Sequence, residues 1–66
     1  MRVWERRHPY AEGTLRTVVK EDGTYEQWEE YKGDISLIYA STVFDMGWSS
    51  VREFIRTRPN FESVTS

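Results

Sequence analysis

The chain has 66 residues, 30% of them charged and 15% aromatic, and a formal net charge of −2. That length holds one small domain with little margin of stability. With no cysteine and a single histidine, disulfides, thiolate metal sites and a self-sufficient zinc site are excluded.

Ten aromatic side chains, three of them tryptophan, are left to supply the core. No apolar run approaches the roughly 18 residues of a membrane span. The opening Met1-Arg2-Val3-Trp4-Glu5-Arg6-Arg7 lacks the apolar stretch of a secretory leader. A cytoplasmic protein with no membrane partner is the expectation.

Residues 1–13 read as an N-terminal arm. Arg6-Arg7-His8-Pro9 is polar, and the proline biases His8 away from helical geometry. Residues 14–20 (T-L-R-T-V-V-K) are rich in β-branched side chains and predict a first strand. Asp22-Gly23 is a hairpin signal, because both residues tolerate positive φ. Residues 25–32 read as the returning strand, with Trp28 on the opposite face from Tyr25 and Tyr31 unless a bulge intervenes. A short helix is the rival, capped by Thr24 and Gln27 and ended by Gly33. Residues 35–41 (I-S-L-I-Y-A-S) predict a third strand, and 43–48 a turn. Ser50-Val51-Arg52-Glu53 matches a capping box, opening a helix whose apolar side is Val51, Phe54 and Ile55. Pro59 ends it, and 59–66 read as a loose tail. The predicted architecture is α+β: a three-stranded antiparallel β-meander over 14–58 with one C-terminal helix on a face.

Catalysis finds no support. There is no cysteine nucleophile, His8 lies beside a proline with only Glu5 or Glu12 to orient it, and the four glycines are scattered turn residues. No cofactor motif is present, and no cofactor or metal is expected.

Charge is segregated: residues 1–20 carry +3, residues 21–34 carry −5, and the remainder balances. The acidic segment surrounds aromatics with carboxylates, giving a candidate partner-binding set of Tyr25, Glu26, Trp28, Glu29, Glu30, Tyr31 and Asp34. Such a surface suits a larger protein with a basic face, the aromatics giving affinity and the charges on-rate. The bland alternative is a solvated hairpin kept soluble by charge, its carboxylates pairing with Arg6, Arg7 or Arg16. A second functional reading is nucleic-acid binding by Trp4, Arg6, Arg7, Arg52 and Arg56, which would neutralise phosphates and stack on bases. A third is a self-associating structural subunit. Its motive is that ten aromatics exceed what one helix and a short sheet can cover, which predicts a homodimer.

The run Asp22-Gly23-Thr24-Tyr25, continuing to Tyr31-Lys32-Gly33, resembles the hairpin of the small phage uracil-DNA glycosylase inhibitors. That resemblance implies a dimeric inhibitor whose acidic surface and exposed aromatics imitate DNA. It spans only this hairpin, and the predicted helix after the third strand departs from that family's element order. The expected function is a small, non-enzymatic regulator or inhibitor of a larger protein.

Overall fold

The computed structural model describes residues 1–64 and shows a mostly-β small domain. Four strands, β1 (Val3–Tyr10), β2 (Gly13–Lys20), β3 (Thr24–Tyr31) and β4 (Asp34–Thr42), form an antiparallel meander. Helix α1 (Val51–Thr57) follows, and a two-residue strand β5 (Glu62–Ser63) adds to the outer edge of β1. The sheet order is β4-β3-β2-β1-β5. Among the described residues no helix is long and apolar enough to cross a membrane.

Two expectations are corrected here. The meander has four main strands, not three, because the predicted arm is β1, paired along its whole length with β2 from Val3↔Lys20 to Tyr10↔Gly13. Its polar run misled because β1 alternates: Trp4 faces the core, while Glu5 and Arg7 face the other side of the sheet and form ion pairs there. Pro9 is tolerated because β1 has no neighbour beyond β5, which reaches only Trp4 and Glu5. Part of the predicted tail is likewise ordered as β5, with the Val64 N–H bonded to the Val3 carbonyl at 2.9 Å. Thr65 and Ser66, the end of that tail, lie outside the described residues.

Residues 25–32 are strand, not helix, apart from Lys32 in the following turn. Two tight turns decide this. At Lys20–Thr24, Gly23 has φ +98°, its N–H reaches the Lys20 carbonyl at 2.9 Å, and Asp22 Oδ1 accepts from the Thr24 N–H at 3.0 Å. At Tyr31–Asp34, the two loop residues Lys32 and Gly33 both take positive φ, 50° and 85°, the pattern that matches strand twist in a two-residue hairpin. The pairing of β3 with β2 is continuous, so Trp28 does lie on the face opposite Tyr25 and Tyr31. The ladder of β3 with β4 shifts register between Gln27 and Trp28, which leaves Ile38 as the extra residue.

Helix α1 starts as expected. Ser50, in extended backbone, accepts from the Glu53 N–H at 3.1 Å. Its apolar side lands on one sheet face, and the core is Val19, Tyr25, Val43, Val51 and Phe54, flanked by Trp4, Trp48, Ile55 and Phe61. Phe54 is the hub, with edge-to-face contacts to Tyr25, Trp48 and Phe61 at 5.8, 5.5 and 5.9 Å. A helix of 7 residues spans only about 10 Å. It covers the end of the sheet near Gly23 and leaves the far end of the same face open.

Candidate interaction surface

That far end is built by strand alternation. Tyr10 on β1, Glu29 and Tyr31 on β3, and Asp34 on β4 share the helix face beyond the reach of α1, and Glu12 joins them from the β1–β2 turn. Tyr10 donates its hydroxyl to Glu29 at 2.8 Å, and Tyr31 donates to Glu12 at 2.6 Å. Each bond links residues 19 apart in sequence, so the two rings are tied across the strands. Both rings remain exposed, at 40% and 39%. Both phenols are held above the ordinary tyrosine value, chiefly because a carboxylate accepts each hydroxyl proton. They therefore stay neutral donors at physiological pH. Among the described residues, Glu12, Glu29 and Asp34 take no part in the ion pairs, and Lys32 lies over the Tyr31 ring at 5.3 Å.

The opposite face has no helix and is organised by charge. Glu5 accepts from Arg7 at 2.6 Å and from Arg16 at 2.8 Å, and Arg16 continues to Glu30 at 3.3 Å. Lys20 stands 3.7 Å from Glu26, which also accepts from the Trp28 indole at 3.3 Å. Long side chains lying over this face leave Val18 only 8% exposed although no helix covers it. Glu5 is held below the ordinary glutamate value, mainly by the Arg7 hydrogen bond; burial opposes this and Arg16 adds to it.

The predicted partner-binding set is thus divided. Tyr25 is 7% exposed and belongs to the core. Glu26, Trp28 and Glu30 lie on the charge-paired face, while Glu29, Tyr31 and Asp34 lie at the uncovered end of the helix face. Two members of this second group were missed, Tyr10 and Glu12, because they were placed in an arm. Trp4 and Tyr10 stand on one face of an extended segment, but Arg6 and His8 between them on that face are polar, so the sequence carries no alternation that would have found them.

The basic set is also dispersed. Trp4 is partly buried against the core with Arg2 over its ring at 5.4 Å, Arg6 lies over Phe61 at 4.9 Å, and Arg7 is engaged by Glu5. Arg52 and Arg56 are exposed on α1. Among the described residues no group of three or more histidine, aspartate or glutamate side chains is placed to hold a metal ion.

No family model, no curated protein and no solved structure matches this chain.

Proposed function

We propose that this protein is a small non-catalytic binding protein, a regulator or inhibitor of a larger protein, and that it meets a basic surface through Tyr10, Glu12, Glu29, Tyr31 and Asp34. The observation that carries this reading is the pair of cross-strand tyrosine–carboxylate bonds. They hold two exposed rings in place, so little side-chain freedom remains to be lost on binding. They do so with carboxylates that take no part in the ion pairs among the described residues, and the exposed negative charge accelerates encounter with a basic partner.

The nucleic-acid reading is weaker on the same ground. Arg6 and Arg7 are occupied by Phe61 and Glu5, and β1 is a paired strand, not an arm free to wrap a strand of nucleic acid.

Affinity capture followed by surface-plasmon kinetics on the captured protein tests the proposal. Glu12→Gln with Glu29→Gln slows association several-fold at low salt and flattens its salt dependence. Tyr10→Ala with Tyr31→Ala speeds dissociation. Normal kinetics in both double variants overturn the reading. Salt-sensitive binding to single-stranded oligonucleotides, lost in Arg52→Gln with Arg56→Gln, replaces it with the nucleic-acid one.

A further inference from the structure

The two edges of the sheet are built differently. The outer edge of β1 carries Arg6, Arg7, His8 and Pro9, and β5 occupies its start at Trp4 and Glu5. Charge, proline and a short covering strand are the usual means by which an edge is kept from pairing. Past its first residue, Asp34, the β4 edge has none of these three. Residues 35–44 (I-S-L-I-Y-A-S-T-V-F) contain no charged side chain and no proline. Ile35, Leu37, Ile38 and Tyr39 are 61, 47, 52 and 47% exposed. At 9 residues β4 is the longest strand, an edge of about 30 Å. After Thr42 the chain turns back over the β2–β3 turn, where the Val43 N–H bonds the Gly23 carbonyl at 2.9 Å, so none of the described residues that follow shields the edge.

We propose that β4 is a self-pairing edge, at which a second copy of this chain adds its own β4 antiparallel about a two-fold axis normal to the sheet. The inference stands apart from the partner reading above. Three observations select a second copy. A strand uncharged past Asp34 and exposing apolar side chains is matched by its own equivalent. Pairing of β4 with the outer edge of β1 would grow without closing, and Pro9, Arg6, Arg7 and β5 obstruct it; β4 against β4 closes at two copies. The bulge at Ile38 splits β4 into two short straight halves, and an antiparallel copy sets the first half of each strand against the second half of the other.

Side-chain direction also restricts the register. On β4, Ile35 and Leu37 share the open face with Ala40 and Thr42, and Ser36 shares the helix face with Ser41. Paired residues must share a face. The register that sets Leu37 opposite Ala40, Ser36 opposite Ser41 and Ile35 opposite Thr42 of the second copy satisfies this. Both helices then lie on one side of a continuous sheet.

Sedimentation velocity from low to high micromolar concentration, with Leu37→Lys and Ile38→Lys as variants, tests the proposal. The expected result is a species of twice the 7.9 kDa chain mass that both variants convert to monomer with an unchanged circular dichroism spectrum. Amide hydrogen exchange on the unmodified protein gives a second readout that needs no variant to fold: β4 amides gain protection as concentration rises, while the outer amides of β1 do not. A monomer at all concentrations, a dimer indifferent to both lysines, an open-ended polymer, or a β4 protected only by a strand of another protein each overturns it.

Discussion

Gly23 and Phe54 are the positions at which one side chain decides most. Gly23 needs positive φ, and a Cβ there would overlap the Phe44 ring. Gly33 also has positive φ, +85°, but a Cβ there meets nothing within 4 Å. Alanine at either position carries the backbone cost of about 1–2 kcal/mol. Gly23→Ala must in addition displace the Phe44 ring, at about 1 kcal/mol more. Thermal unfolding of the two variants reads the difference, and Phe44→Ala in the background of each should abolish it. Phe54, at 1% exposure, touches three aromatic rings, and Phe54→Ala should cost about 3–5 kcal/mol. Ser50→Ala, which removes only the cap bond to Glu53, should cost about 1 kcal/mol. A Phe54→Ala protein with unchanged urea midpoint would mean that the helix does not anchor this face.

Among the elements, β1 and β2 are joined on the open face by the Arg7–Glu5–Arg16 bonds, and this joint titrates. Glu5 lies below its ordinary value of 4.5 in the folded chain. Its ionised form therefore stabilises the fold fully above that value, and the contribution is lost as pH falls through the lowered folded one. Glu5→Gln should cost about 1–3 kcal/mol at neutral pH, since it weakens two charge-assisted bonds at a carboxylate only 11% exposed. It should also make stability less dependent on pH below 4.5 than in the unmodified chain. Parallel acid-denaturation curves for the two proteins would count against the joint. In the acidic segment Glu30 pairs with Arg16, one of the arginines expected as its partners, whereas Glu26 pairs with Lys20, which was not among them, and Glu29 accepts from a tyrosine.

For the molecule as a whole, β1 matters most. It brings Trp4 to the core and occupies the entire outer side of β2. An arm could be removed without unfolding the rest; this strand could not. Deleting residues 1–10 should abolish the cooperative thermal transition and the near-ultraviolet signal of the packed aromatics, because β2 becomes an edge and the apolar side of α1 loses a wall. A truncated chain that melts cooperatively near the full-length temperature would show the remaining meander to be self-sufficient. Ten aromatics in a short chain turn out to be shared between two uses. Tyr25, Phe54, Trp4, Trp48 and Phe61 build the core, while Tyr10, Tyr31, Tyr39 and Phe44 stay substantially exposed and Trp28 lies half-buried on the charge-paired face.

Signals confined to a few neighbouring residues were legible in the sequence. The Asp22-Gly23 turn, the Ser50 cap, the Val51/Phe54 side of the helix and the β-branched run of residues 14–20 are each set by local backbone geometry, and each appears where the residues call for it. The role of the first ten residues was decided only by tertiary structure. Arg6-Arg7-His8-Pro9 has no apolar alternation of its own, and it becomes a strand because β2 supplies its hydrogen bonds and Arg16 neutralises Glu5. The candidate surface was half legible for the same reason. Glu29, Tyr31 and Asp34 could be read from one acidic run, but sequence proximity also swept in Tyr25, which the pleat turns to the core, and Glu26, Trp28 and Glu30, which it turns to the other face. Tyr10 and Glu12 join the surface by pairing across strands, and a cross-strand partner is fixed by register, which no single segment contains.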